Sequence, residues 1–114
     1  MRAYYQALAA RDYRAAWALW RGEGEASGQS YEQFARGFER TATTAVEITG
    51  PAPIEGAAGS SYAAVPVRVH ATTTSGERQE YAGTYTLRRV NDVPGATAAQ
   101  LRWHIESARL KALP

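Results

Sequence analysis

The sequence predicts an α+β domain in which N-terminal helices pack on one face of a curved, four-stranded antiparallel sheet. Up to about residue 41, apolar side chains recur with the three-to-four-residue period of helices. From about residue 44 to 112 they instead alternate with polar side chains, which is the period of strands. Such a sheet is polar on one face, so the helices are expected to cover the other, apolar face.

Two helices that meet at Arg11-Asp12 best explain the first segment, RAYYQALAARDYRAAWALW. Tyr4, Tyr5 and Leu8 share one face of the first helix, and Asp12 is a typical N-cap for the second. A single long, bent helix is the alternative interpretation. The apolar stripe of the second helix has the spacing of a face that packs on a sheet: Tyr13, Ala16, Trp17 and Trp20.

A third helix is predicted after the polar, glycine-rich loop GEGEASGQ. Ser30 and Gln33 have the spacing of a capping box, in which the two residues satisfy backbone amides reciprocally. Phe34 and Phe38 fall on one face of this helix, which is expected to end near Thr41.

Three longer alternating runs follow a short strand that is predicted around Val46 and Ile48. That short strand ends at Gly50-Pro51, before a loop rich in proline and glycine. The next runs, YAAVPVRVHATT and ERQEYAGTYTLRRV, are predicted to form a hairpin. After the turn-like stretch NDVPG, the last run QLRWHIESARL supplies the fourth strand.

The register of the hairpin follows from the positions of its apolar residues. A two-residue loop would place His70 opposite Tyr81 and mix the polar and apolar faces. A three-residue loop with Gly76 in the left-handed region instead aligns Val69 with Tyr81, and His70 with Glu80. The three-residue loop is therefore predicted.

The polar face of this sheet is the expected outer face, away from the helices. In the last strand, the inner set is predicted to be Leu101, Trp103, Ile105 and Ser107. The outer face is a candidate surface for a homodimer or a protein partner, although an ordinary solvated sheet face explains the same pattern. The candidate partner surface comprises Arg68, His70, Thr84, Arg102, His104 and Glu106.

Composition limits the classes of function. A chain of 114 residues with 45% hydrophobic and 21% charged residues is expected to form one globular domain, residues 1–114. It has no cysteine, which excludes disulfides and thiolate sites. Its basic residues are scattered, so no nucleic acid is expected. No apolar run is long enough for a membrane span, and no signal peptide is recognisable.

Residues that could perform acid-base or metal chemistry do not converge in the sequence. His70 and His104 both alternate to the outer face, and two histidines without a third ligand make a poor zinc site. Asp12 is better explained as a helix cap than as an inward-facing base. No catalytic residue, metal site or cofactor is therefore predicted.

The order of these elements resembles the nuclear transport factor 2-like superfamily. YYQALAARDYRAAWALW is similar to the opening of that superfamily, and LRWHIESARL is similar to its final strand. The resemblance implies a cone-like fold whose open end often holds a ligand. Members range from ketosteroid isomerase and polyketide cyclases to non-catalytic domains, among them small domains of exported lipoproteins and penicillin-binding proteins. The fold alone does not select among them.

Comparison with the isomerase matches only one functional position. Tyr4 takes the place of the family's oxyanion-stabilising tyrosine, whereas its carboxylate base would fall in GEGEASGQ, which contains no Asp. The second pocket acid has no inward match either. A non-catalytic accessory or interaction domain is therefore predicted, with a small weight towards an exported protein. A small-molecule binder or a cyclase-like or isomerase-like enzyme that uses the cavity between helices and sheet is the alternative.

Aromatic side chains are the remaining candidates for a pocket that takes a small apolar ligand. Large rings at these spacings are also typical of a filled core, and that interpretation stays open. The expected lining comprises Tyr4, Trp17, Trp20, Phe34, Phe38, Tyr81, Tyr85 and Trp103.

Overall fold

The computed structural model describes residues 1–91, 94–98 and 100–114. It is α+β, with short N-terminal helices followed by an open antiparallel sheet of five strands. The helices are α1 (Arg2–Ala9), α2 (Tyr13–Ala18), a 3-10 helix (Glu25–Ser27) and α3 (Tyr31–Arg36). The strands are β1 (Thr41–Ile48), β2 (Ile54–Ala57), β3 (Ser60–Thr73), β4 (Arg78–Val90) and β5 (His104–Ala112).

The sheet has one strand more than the four that were predicted. Strands β1, β3, β4 and β5 are neighbours in that order, and the extra strand β2 pairs with the first residues of β3. β2 lies in the stretch that was expected to be a loop. Its sequence, IEGA, shows no alternation that marks a buried face, and Ile54 remains 61% exposed. Backbone pairing with β3 therefore defines this strand, and side-chain burial does not.

The helical segment is shorter than its periodicity suggested. α1 and α2 are separate helices, as the interpretation with a joint at Arg11-Asp12 predicted. The third helix ends at Arg36, and β1 already begins at Thr41. Phe38 continues the apolar face of α3 by one turn beyond its hydrogen-bonded end, which is why the spacing overestimated its length.

Side-chain caps fix the beginnings of two helices. The Asp12 carboxylate accepts a hydrogen bond of 3.2 Å from the backbone N–H of Ala15. Ser30 and Gln33 form the predicted capping box, with reciprocal bonds of 3.2 and 3.0 Å. Each cap satisfies backbone amides that the helix itself leaves without partners.

The β3–β4 hairpin has the predicted register along its whole length. The amide of Thr73 donates to the carbonyl oxygen of Glu77 at 2.8 Å, and Gly76 has a φ of +87°. Val69 lies opposite Tyr81, and His70 lies opposite Glu80. This register places the apolar residues of β3 and β4 on the same face of the sheet, as expected where one face is buried.

Pro66 lies within a central strand, a position where proline is uncommon. Because Thr73 and Glu77 form a hydrogen-bonded pair, alternation directs the backbone nitrogen of Pro66 away from β4. On that other side β1 pairs with residues 67–73 of β3, and β2 pairs with residues 60–63. Pro66 lies one residue beyond the β1 pairing, and its carbonyl oxygen accepts a hydrogen bond of 3.0 Å from the Thr49 amide. Its missing N–H therefore removes only the reciprocal bond at the end of that ladder.

A one-residue bulge changes the faces of the last strand. Leu87 pairs with Ile105, but Thr86 pairs with Ser107, so Glu106 is the extra residue. Ser107 therefore shares a face with Thr86 on the outer side, and its predicted inward position is wrong. β5 begins at His104, so Arg102 and Trp103 precede the strand. The expected NDVPG turn includes Asp92 and Val93, which lie outside the described residues.

The core lies between the helices and the inner face of the sheet. Helix residues Tyr4, Tyr5 and Phe34 pack against a valine ladder on β3. The start of β5 is also tied to the helical segment, because Ile105 exchanges backbone hydrogen bonds of 2.7 and 2.8 Å with Leu19 and Arg21. No helix in the described part of the chain has the length and apolarity to cross a bilayer.

Candidate functional site

A cavity of about 390 Å³ lies between α1, the end of α3 and the inner face of the sheet. Its walls are mainly aromatic and aliphatic, with a few hydroxyl and amide groups, which is the usual composition of small-molecule sites. The lining residues are Tyr4, Tyr5, Leu8, Gly37, Phe38, Thr41, Thr44, Val69, Ala71, Gln79, Tyr81, Tyr85, Leu110 and Ala112.

Four of the eight aromatic residues expected to line a pocket meet at this cavity: Tyr4, Phe38, Tyr81 and Tyr85. The structure places the other four elsewhere. The indole N–H of Trp17 donates to the carbonyl oxygen of Gln29 at 3.1 Å, and Trp20 contacts the edge of Tyr4. Phe34 is buried beside Tyr4, and Trp103 lies under the guanidinium of Arg89.

A pair of tyrosine hydroxyls forms the most buried polar contact of the cavity wall. The Tyr5 and Tyr85 hydroxyl oxygens are 2.7 Å apart, and both residues are buried. Burial raises the pKa of Tyr5 to about 12 and raises the pKa of Tyr4 and Tyr85 as well. All three phenols are therefore neutral at physiological pH. They act as hydrogen-bonding groups there, and they carry no charge.

One hydroxyl proton of the Tyr5–Tyr85 pair is not used in the hydrogen bond between them. Two phenols carry two protons, and one of these forms the Tyr5–Tyr85 hydrogen bond. The accepting hydroxyl keeps its own proton, which is free to be donated to another oxygen. The cavity wall therefore offers a neutral donor.

Thr44 supplies a second polar group without a partner. Its side chain lines the cavity from β1, and its Oγ1 atom is buried with no hydrogen bond from any described residue. A buried hydroxyl without a partner is unfavourable by about 1–3 kcal/mol. Oγ1 has almost no accessible surface, so a ligand oxygen would relieve that cost only after a covering side chain moves.

Ten of the fourteen lining residues were not predicted to line a pocket: Tyr5, Leu8, Gly37, Thr41, Thr44, Val69, Ala71, Gln79, Leu110 and Ala112. Alternation from the start of β5 would place Leu110 and Ala112 on the outer face. The bulge at Glu106 instead brings them to the inner face, opposite Gly83 and Tyr81. Thr44 lies two residues before Val46 and shares its inner face, so alternation alone indicated it.

Both histidines lie on the outer face, remote from the cavity. His70 Nδ1 is 3.2 Å from a carboxylate oxygen of Glu80, the residue predicted opposite it, and its Nε2 is 3.9 Å from Glu47. His104 Nδ1 donates to the carbonyl oxygen of Arg102 at 3.0 Å. Within residues 1–91, 94–98 and 100–114, no three His, Cys, Asp or Glu side chains are grouped to hold a metal.

The candidate partner surface is only partly continuous. Arg68, Thr84 and His70 lie on the outer face, and His104 joins them opposite Arg88. Arg102 precedes the strand, and Glu106 pairs with Arg21 at the edge of β5. Two exposed basic residues that were not predicted extend the same face, because Arg109 lies opposite Thr84 and Lys111 lies opposite Ala82.

Comparison with known proteins identified no significant match. No protein-family model matches the chain, and no curated protein or solved structure is significantly similar to it.

Proposed function

We propose that this chain is a small, non-catalytic binding domain of the nuclear transport factor 2-like kind, which takes a small, largely apolar molecule into the cavity between helices and sheet. The observation that carries the proposal is the wall of that cavity. It combines aliphatic and aromatic surface with neutral hydroxyls, and its described lining includes no Asp, Glu, His, Lys or Arg side chain. General acid-base catalysis needs a titratable group near the operating pH. The phenols of Tyr4, Tyr5 and Tyr85 have pKa values raised far above it.

The same wall defines the chemistry of the ligand. A spare phenol proton and the Thr44 hydroxyl are suited to an uncharged oxygen such as an alcohol, phenol or ketone. A carboxylate would lose its hydration without meeting a cation, which is strongly unfavourable in an apolar site. The ligand class is therefore an apolar skeleton with one neutral oxygen.

Three probes with one skeleton test this proposal: naphthalene, 2-naphthol and 2-naphthoate. Binding is followed by calorimetry and by chemical-shift changes at Thr44 and Tyr81. We expect 2-naphthol to bind saturably and at least about tenfold more tightly than either of the others, since one good hydrogen bond in a dry site is equivalent to roughly this factor.

Thr44→Val provides the matched variant, because valine has the same shape without the hydroxyl. It should reduce the affinity for 2-naphthol towards that for naphthalene. Thr84→Val, on the outer face, should leave the affinity unchanged. Absence of saturable binding by all three probes, or an equal effect of both variants, would contradict the proposal.

The outer face supports a second candidate role, the formation of a homodimer. One row across the sheet contains Glu47 on β1, Arg68 on β3, Ala82 on β4 and Lys111 on β5. Small side chains such as Ala82 and Thr84 lie in the middle of this face and permit close approach. Rotation of a second copy about an axis parallel to the strands would place Glu47 of each copy opposite Lys111 of the other. Such self-complementary charges are typical of two-fold interfaces.

Sedimentation equilibrium at low ionic strength tests the dimer. Glu47→Lys should weaken self-association at least about tenfold through like-charge repulsion, and Glu47→Lys combined with Lys111→Glu should restore it. Glu32→Lys makes the same change of charge on α3 and should have no effect. A wild-type chain that stays monomeric at high concentration, or a double variant that is not rescued, would exclude this arrangement.

A further inference from the structure

A second cavity, of about 330 Å³, lies at the opposite end of β4 from the aromatic cavity. It is formed where the loop after α2 approaches the last residues of β4 and the first residue of β5. Four of its side chains are basic or imidazole groups: Arg21, Arg88, Arg89 and His104. We name this feature the arginine cleft.

Each arginine of the cleft is held by a neighbour. Arg21 pairs with Glu106, the bulge residue of β5, and this contact raises the pKa of the Arg21 guanidinium. Arg88 donates from Nη2 to the Ser60 hydroxyl at 3.0 Å. The guanidinium of Arg89 stacks over the ring of Trp103, 4.9 Å from its centroid. Guanidinium groups that are already positioned lose little side-chain entropy when a ligand binds.

Two of the three arginines of the cleft are not paired with a carboxylate of the described residues. Neither Arg88 nor Arg89 forms an ion pair with a described carboxylate, whereas Arg21 does. The Nε atom of Arg88 is buried and has no hydrogen-bond partner among the residues that the structure describes. That atom has almost no accessible surface, so a ligand in the cleft would meet the rest of the Arg88 guanidinium instead.

An imidazole, two uncharged polar side chains and one carboxylate complete the cleft. The His104 Nδ1 atom must carry a proton, because its partner, the Arg102 carbonyl oxygen, can only accept. Thr97 and Gln100, which bond to each other's backbone amides, form the facing wall. Glu23 also lines the cleft, so its carboxylate limits how much negative charge the site can take.

From this arrangement we propose that the arginine cleft binds a single anionic group, a carboxylate or a phosphate, with Arg88 and Arg89 as its principal ligands. Planar guanidinium groups bind both kinds of oxyanion through paired N–H···O bonds. The site is independent of the aromatic cavity, because that cavity lies at the other end of β4 and its ligand is neutral. The cleft would therefore anchor a separate acidic molecule or the acidic group of a partner.

Titration of the full chain with inorganic phosphate and, separately, with acetate tests the cleft. The resonances of the arginine Nε–H groups and of the Gln100 backbone amide report binding at low ionic strength. We expect saturable binding of at least one anion, and the ratio of the two affinities distinguishes a phosphate site from a carboxylate site. Linear, non-saturating shifts with both anions would overturn the proposal.

Charge-removing variants separate the cleft from general attraction to a basic protein. Arg88→Gln and Arg89→Gln should each weaken anion binding at least tenfold. Arg109→Gln, an exposed arginine of the same sheet outside the cleft, should change it less than twofold. If Arg88→Gln unfolds the chain through loss of the Ser60 contact, Arg89→Gln still decides the outcome, because Arg89 is exposed. An equal loss in Arg89→Gln and Arg109→Gln would contradict the cleft.

Discussion

Thr44, Tyr5 and Tyr85 are the polar groups whose surroundings differ most from what their positions in the sequence suggest. Tyr85 was expected to face inward, and it does. Its hydrogen bond to Tyr5 joins residues 80 positions apart and depends on how α1 crosses the sheet. No local pattern carries that information. The Thr44 hydroxyl is likewise unremarkable in a strand until the helices close over it.

The buried hydroxyl of Thr44 predicts an increase in stability on its removal. Thr44→Val should raise the free energy of unfolding by about 1 kcal/mol, because a buried hydroxyl without a partner is replaced by a methyl group of the same shape. Urea unfolding measures this difference. Thr84→Val, on the outer face, should change the free energy of unfolding by less than about 0.5 kcal/mol. A destabilised Thr44→Val variant would show that the hydroxyl has a partner in solution.

The buried tyrosines predict a loss of stability at alkaline pH. The pKa of Tyr5 is raised to about 12, above its ordinary value of 10.0, so the folded chain retains a proton that the unfolded chain releases. This stabilisation is complete below about pH 10 and is lost as pH rises from there through about 12. Urea midpoints between pH 8 and 11 should therefore fall more steeply for the wild type than for Tyr5→Phe/Tyr85→Phe. Parallel curves would contradict this assignment.

At the scale of elements, capping residues predicted the starts of helices more reliably than periodicity predicted their lengths. The Asp12 and Ser30 caps lie where the sequence placed them, because a cap depends on residues within one helical turn. The end of α3 and the start of β1 both lie earlier in the sequence than predicted, because both depend on contacts with distant strands. The bulge at Glu106 has the same origin, since the backbone of Ile105 pairs on one side with β4 and on the other with Leu19 and Arg21.

Substitution of Asp12 distinguishes a cap from a catalytic base. Asp12→Ala should lower the free energy of unfolding by about 1 kcal/mol, because the amide of Ala15 loses its acceptor. Asp12→Asn keeps an acceptor oxygen and should remain within a few tenths of a kcal/mol of the wild type. Thermal or urea unfolding provides the measurement. If both variants lost the same stability, the carboxylate charge and not the cap would be the stabilising feature.

The β4–β5 pair depends on a glycine. A Cβ atom at Gly83 would overlap the backbone of Arg109, whereas a Cβ atom at Gly56 of β2 would meet no atom within 4 Å. Gly83→Ala should therefore destabilise the fold by more than about 2 kcal/mol, because one of the two strands must shift. Gly56→Ala should be neutral to within about 0.5 kcal/mol. Unfolding in urea compares the two, and similar values would show that β5 lies farther from β4.

For the whole molecule, the ratio of sheet to helix is the dominant feature. The chain measures 50 × 30 × 20 Å and exposes 7385 Å². A compact monomer of this mass would expose about 6,100 Å². Three short helices cover a sheet whose central strands have 14 and 13 residues, and Leu110 on the inner face of β5 remains 38% exposed. The excess of surface reflects a long sheet that few helices cover.

Hydrogen exchange should reveal the resulting gradient of stability. The amides of Val65, Val67 and Val69 lie in β3, which has neighbours on both sides and buried side chains. They should exchange most slowly, at rates set by global unfolding. Amides of β2 and of the second half of β5 should exchange at least about a hundredfold faster, because these segments are short or lie at an exposed edge. Uniform protection across the sheet would contradict this gradient.

The sequence by itself determined the fold class, both helix caps and the register of the long hairpin. Each of these depends on a local rule: period, capping geometry, or the alignment of two adjacent apolar faces. Only the tertiary structure decided the fifth strand, the bulge that turns Ser107 outward, and the two cavities. Those features bring together residues from distant segments, such as Tyr5 with Tyr85 and Arg21 with Arg88. Their positions follow from how α1 and the loop after α2 cross the sheet, which no local period records.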